Sequence, residues 1–319
     1  ALSVSTPTQG FVDRFFSAPG VVDAGALGEL LNGSAPLSSA AIRIDGRVNA
    51  IDGVELAAGT VSVRGAILTG ARFEGRAPDF TDVVNAQGLA TGTRVVERAG
   101  RIYISADEDI ELAGTLDARG AAGVDGGDIR LRAGRDLIAD MNALVTASGD
   151  GEASSGGRID ALAQRNAVIR SGAVMDASAG RSGDGGFVEF SAKDTVELAG
   201  GQFYADGRGG GAAGHVLIDP ANILLSAHLL RGASGYGTLP DGASAAGANL
   251  ELLATNSITV NENIVVSSRL VGSDHVNGAS TGHSGNITFT APNILLKSGS
   301  RVLAHASGTL PNGDPIQGG

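Results

Sequence analysis

The chain has no cysteine and no tryptophan, only two methionines and nine prolines, and 4% aromatic residues. Without cysteine there is no disulfide scaffold, thiolate metal site or thiol nucleophile. So few prolines, with glycine in no triplet period, exclude collagen. No apolar run approaches the roughly 18 residues of a transmembrane helix, so no membrane span is expected. Positive charge is also short. Lys and Arg number 23 against 34 Asp and Glu, a net charge of −11 and a sequence pI near 4.8. Nucleic acid is therefore not expected as a partner, because phosphate binding needs basic clusters. The opening residues Ala1-Leu2-Ser3 carry no charged and apolar signal pattern.

What is abundant is glycine, 50 of 319 residues, beside a hydrophobic fraction of 42% that excludes a disordered low-complexity chain. The glycines mark a repeat. Gly100, Gly127, Gly157, Gly186, Gly214 and Gly285 open the same phrase, at intervals of 27, 30, 29, 28 and 71 residues. Two residues on stand Ile102, Ile129, Ile159, Val188, Val216 and Ile287; four on stand Ile104, Leu131, Ala161, Phe190, Ile218 and Phe289. This alternation is the period-2 signature of a half-buried strand. Tyr103, Arg130, Asp160, Glu189 and Thr288 fall between and should face water. Further short strands follow, such as Ile110-Glu111-Leu112 and then Leu116-Asp117-Ala118, before a small-residue turn.

Three short strands per unit predict an all-β solenoid, a parallel β-helix, whose turns share one narrow core. Aliphatic ladders then replace large aromatics, and left-handed turn positions account for the glycine. About nine to twelve turns fit residues 41–308, a rod roughly 45–60 Å long at one strand spacing per turn. The 71-residue gap leaves room for two or three units. Ala221-Asn222-Ile223-Leu224-Leu225 returns 71 residues later as Pro292-Asn293-Ile294-Leu295-Leu296, with both asparagines expected at turns. Residues 231–248 and 272–284 read as loop-rich insertions. Residues 1–40, with a short helix over 23–31, read as an N-terminal cap or connector. Residues 309–319 read as a frayed tail or the start of a continuation.

Several phrases resemble the filamentous-haemagglutinin-like exoproteins of bacterial two-partner secretion. The stretch Ile51-Asp52-Gly53-Val54-Glu55-Leu56-Ala57-Ala58-Gly59-Thr60-Val61 resembles the end of that family's secretion domain. Gly183-Asp184-Gly185-Gly186-Phe187-Val188-Glu189-Phe190, Gly214-His215-Val216-Leu217-Ile218-Asp219-Pro220 and Gly285-Asn286-Ile287-Thr288-Phe289 resemble its shaft repeats. The resemblance covers about residues 41–308. It implies a right-handed parallel β-helix, export through an outer-membrane transporter partner, a secreted or cell-surface location, and a role in adhesion or biofilm. The partner surface would be extracellular polysaccharide or a host-surface glycan or protein. The family's Asn-Pro motifs are absent, which points to a downstream fragment or a divergent member.

Catalytic chemistry has few candidates. Asp107, Glu108 and Asp109, near Asp136 in the next turn, could serve a polysaccharide-acting β-helix enzyme, but a solvated acidic turn is the simpler reading of them. Asp125, Asp128 and Asp184 sit in Gly/Asp-rich phrases that faintly resemble a calcium-binding repeat, although the spacing is too long for consecutive turns to share an ion. Asp274, His275 and His283 share a loop. Gly207-Arg208-Gly209-Gly210-Gly211 lacks the lysine and helix of a phosphate loop. Tyr103, Tyr204 and Tyr236 are candidate glycan contacts, Tyr103 and Tyr204 at expected outward positions. The expected function is a non-catalytic, monomeric rod without cofactor. The alternatives are the polysaccharide enzyme and a glycan- or calcium-binding module.

Overall fold

The computed structural model describes residues 41–50, 53–69, 100–120, 122–232, 244–271 and 281–307. The expected cap with its helix, the tail, Tyr236, Asp274 and His275 lie outside the described residues. So do residues 233–243 and 272–280 of the two expected insertions.

The described residues are all strand and turn, and they form a parallel β-helix. Three faces run along it. An eight-stranded face carries the repeated phrase in Gly53–Ala58, Arg101–Ala106, Asp128–Ala133, Arg158–Ala163, Phe187–Ala192, His215–Ile218, Asn249–Leu253 and Ile287–Thr290. A nine-stranded face runs from Ala41–Ile44 to Asn293–Leu296, and a six-stranded face from Arg47–Ala50 to Gln202–Tyr204. Beyond Tyr204 two three-stranded sheets accompany the longer turns. One of them, built on Gly207–Arg208, contains the antiparallel pair with Ser244–Ala246. Nine strands put the turn count at the low end of the expected range, and eight spacings make a rod of about 40 Å.

Register follows the repeat. Ile102, Ile129, Ile159, Val188, Val216 and Leu250 pair in succession, and all are essentially buried. The column through Ile104 and Leu131 narrows to Ala161 and then widens to Phe190. Phe190 packs against Phe203 from the six-stranded face at 5.7 Å between ring centroids. The small Ala161 makes room for the large neighbour, so the ladder keeps its volume while its residues change. The 71-residue gap is two turns, of 34 and 37 residues in register. Ala248 stands there where other turns open with glycine, which is why the phrase skips it.

Two turn expectations need correcting. Gly100, Gly127, Gly157, Gly186 and Gly214 do not have left-handed backbone; of the six opening glycines only Gly285 does, at φ +79°. The first five are glycine because the turns stack too closely for a side chain. A Cβ on Gly127, Gly157, Gly186 or Gly214 would overlap the carbonyl oxygen of the opening glycine one turn below. Each of these glycines also donates its N–H to the carbonyl of the alanine just after the preceding third strand: Ala118, Ala147, Ala177 and Ala205, at 2.8–2.9 Å. Asn222 and Asn293 begin strands of the nine-stranded face instead of occupying turns. Their side chains tie neighbouring turns: Asn256 Nδ2 donates to Asn222 Oδ1 at 2.7 Å, and Asn293 Nδ2 to the Asn256 carbonyl at 3.2 Å.

Candidate functional site

The outward side of the eight-stranded face holds the densest set of polar and aromatic side chains. The alternation that buries Ile102, Ile129 and Ile159 turns Arg101, Tyr103, Asp128, Arg130, Arg158 and Asp160 the other way. Tyr103 is half-buried, and its hydroxyl donates to Asp128 Oδ2 at 2.9 Å. Burial first, then this bond, raises the phenol above its ordinary pKa. Arg130 also grips Asp128, Nε to Oδ1 at 3.1 Å, and its guanidinium lies 5.2 Å from the Tyr103 ring centre. Arg158 holds Asp160 at 2.8 Å and covers Phe187 at 4.3 Å. Phe187 stacks on His215, whose Nε2 lies 3.1 Å from Glu251 Oε2. Asp160, expected in water, is only 7% exposed because Arg158 and its neighbours cover it. Glu189 beside it is pushed above the usual carboxylate range, chiefly by burial and then by Asp160 and Asp219.

The acidic run lies at the corner leading to the nine-stranded face. Asp107 and Glu108 are exposed. Asp109 accepts from Arg135 Nε at 2.8 Å and from the Asp136 N–H at 3.1 Å, and it pairs with Arg135 Nη2. Asp136 repeats this with Arg165 and the Asn166 N–H one turn on. Both carboxyls are held below their ordinary range, mainly by the arginine of the next turn. Each such carboxylate is thus a clasp between turns.

The calcium candidates do not converge. Asp125 Oδ1 accepts from the Ser155 N–H at 2.7 Å, and Asp184 Oδ1 from the Ala212 N–H at 2.8 Å, each one turn on. Asp128 is engaged on the sheet face. Among the described residues no three His, Asp or Glu side chains are grouped to hold a metal. His228 Nδ1 accepts from the Val265 N–H at 3.0 Å, and His283 lies in Thr281–His283. Tyr204 differs from its expected outward, sugar-stacking position: it is 8% exposed, with its hydroxyl donating to Gln202 Oε1 at 2.6 Å. Its column on the six-stranded face also holds Asp117, Thr146 and Asp176, each 3% exposed. Asp117 and Asp176 accept the N–H two residues on, the geometry of an Asx turn. Burial raises Asp176 well above the usual carboxylate range.

The sequence singles out Tyr103 and places Arg130 outward beside it, but it does not single out Arg101, Arg132 or Arg158. Their signal was the outward half of the same alternation, at the first and fifth strand positions, where Arg101 and Arg132 stand. No helix among the described residues is long and apolar enough to cross a membrane. The chain matches no family model, no curated protein and no solved structure.

Proposed function

We propose that this chain is a non-catalytic, rod-like segment of a large secreted or surface-attached bacterial exoprotein, serving adhesion or biofilm-matrix contact. The observation that carries this reading is the use of the side chains. Asp109, Asp125, Asp136 and Asp184 each bond to the following turn. Carboxylates spent on stiffening a stack suit a shaft better than a cleft. The aliphatic ladders and backbone bonds add to that stiffness along the whole length. The resemblance to two-partner exoproteins supplies the rest of the proposal: export through an outer-membrane transporter, and a matrix polysaccharide or host-surface molecule as target.

Beads coated with the folded chain should adhere to a polysaccharide matrix or a cell layer, and heat-unfolded chain should not support this. The competing enzyme reading predicts polysaccharide cleavage. Reducing-end release that disappears when Asp107, Glu108 and Asp109 are changed to alanine would overturn the shaft reading.

A further inference from the structure

We propose that the outward surface between Arg101 and Arg132 binds an acidic polysaccharide through carboxylates set apart along its chain. The observation is an excess of arginine on the outward side of three strands, four guanidiniums against the two carboxylates Asp128 and Asp160, flanked by Glu55 and Glu189 on the strands either side. Arg101, Arg130, Arg132 and Arg158 all project from three consecutive strands of one face. Arg130 and Arg158 are committed to Asp128 and Asp160. Arg101 and Arg132 are exposed, and among the described residues neither side chain has a hydrogen bond or an ion pair. The carboxylate in register with Arg101 is Asp128, already engaged by Tyr103 and Arg130. Arg132 has Ser105 and Leu162 beside it and no carboxylate in its column; the carboxylate whose charge it feels, Glu189, stands two strands away and beside Arg158.

The two open guanidiniums are held by strands, so little order is lost on binding. They lie one strand apart sideways and four residues apart lengthwise, which places their Cα atoms about 14 Å from each other. Between them lie the half-buried Tyr103 ring and Arg130. A guanidinium fork matches a carboxylate with two parallel bonds, and an aromatic edge with a polar rim suits the mixed surface of a sugar. Glu55, in register with Tyr103 one turn below and exposed, bounds the patch on that side.

The spacing also argues against nucleic acid. Duplex DNA presents a charge about every 1.7 Å and is gripped by many cations. Two open arginines far apart on a chain of net charge −11 meet a sparse polyanion better. The inference rests on the adhesive reading only for needing a ligand at all. Loss of this binding, with bead adhesion intact, would remove the site and leave the rod.

The test is titration calorimetry of the full chain with oligogalacturonate, neutral dextran, dextran sulfate and a DNA duplex. Oligogalacturonate should bind, weaken with added salt, and bind about tenfold more weakly to R101A/R132A. Arg64→Ala, an exposed arginine in the turn after Thr60–Val63 and away from this face, should leave binding unchanged. R101K/R132K keeps the charge without the fork and should recover only part of the loss, which separates recognition from misfolding. The site assignment is overturned if oligogalacturonate does not bind, or binds the double alanine variant equally. Preferential capture of dextran sulfate would overturn carboxylate as the anion. Binding of DNA in place of the uronate would overturn the polysaccharide.

Discussion

Gly157→Ala adds one methyl group, and the stacking of turns decides its cost. Gly157 has ordinary backbone, so conformational preference contributes little. Its missing Cβ points at the Gly127 carbonyl, closer by about 1 Å than two such atoms tolerate. Relief requires the turns to part at the bonds Gly157 N–H to Ala147 O and Arg158 N–H to Gly127 O, both 2.8 Å. Two weakened hydrogen bonds cost about 1 kcal/mol each, and overpacking costs about 1–3 kcal/mol. The sum is about 3–5 kcal/mol, a large share of an ordinary domain's stability. Two other glycines isolate the competing causes. Gly123→Ala would meet only the Glu152 carbonyl oxygen, at an ordinary 3.8 Å, but has φ +77°, so it should cost about 1 kcal/mol. Gly46→Ala has neither constraint and should gain about 0.5 kcal/mol. Urea midpoints by circular dichroism give the order, and amide exchange locates the damage, which matters because repeat arrays depart from two-state unfolding. If Gly123→Ala cost more than Gly157→Ala, left-handed backbone would be the main reason for the glycines and the close-stacking argument would fall.

Ile129→Asp buries a carboxylate between two turns and should abolish cooperative melting, whereas Arg130→Ala, one residue over and exposed, should leave the melting profile nearly unchanged; equal damage would disprove the register. Asp125→Ala removes the acceptor of the Ser155 N–H and should cost about 1 kcal/mol in urea titration. Calcium should leave the melting temperature of the wild type where a chelator leaves it, because that carboxylate serves a backbone bond; a calcium-dependent rise absent in Asp125→Ala would restore the metal reading.

The main-chain plan was legible because it repeats. A ladder position must stay apolar in every turn, so the alternation of Ile, Val and Leu carries both strand and register, and columns such as Ile102–Ile129–Ile159 follow from it. Two kinds of information were not legible. The first is how close the turns come, since an opening glycine looks the same whether a left-handed angle or a neighbouring carbonyl demands it. Ala248 shows how local that demand is: its N–H goes to Asp206 Oδ1 at 2.8 Å instead of to an alanine carbonyl. The second is which outward residues stay outward. Tyr204 and Asp176 occupy an outward column of the six-stranded face, yet both are buried. Tyr103 stayed half-buried, and Arg130 faces outward beside it as the alternation requires, but the grouping of Arg101, Arg132 and Arg158 around them became visible only when three turns were laid side by side.

The pH dependence of the rod should show two opposed contributions, one from each kind of carboxylate. Asp109 and Asp136 have folded pKa values lowered by Arg135 and Arg165. Each binds its proton more weakly when folded, so each contributes stability that is present above the unfolded carboxylate value and lost as pH falls through the lowered one. Asp176 is the reverse. Burial raises its folded pKa, so its contribution is present below the unfolded value and lost as pH rises through the raised one. Melting temperature should therefore pass through a maximum in acid. Asp109→Asn with Asp136→Asn should flatten the acid limb and leave the other. Asp176→Asn keeps the acceptor for the Ser178 N–H and removes the buried charge, so it should flatten part of the limb toward neutral pH and leave the share due to Glu189, whose pKa is also raised. A wild-type profile that changed only on the acid side, with Asp176→Asn superimposing on it, would mean that Asp176 ionises without penalty and that its column is wetter than its 3% exposure implies.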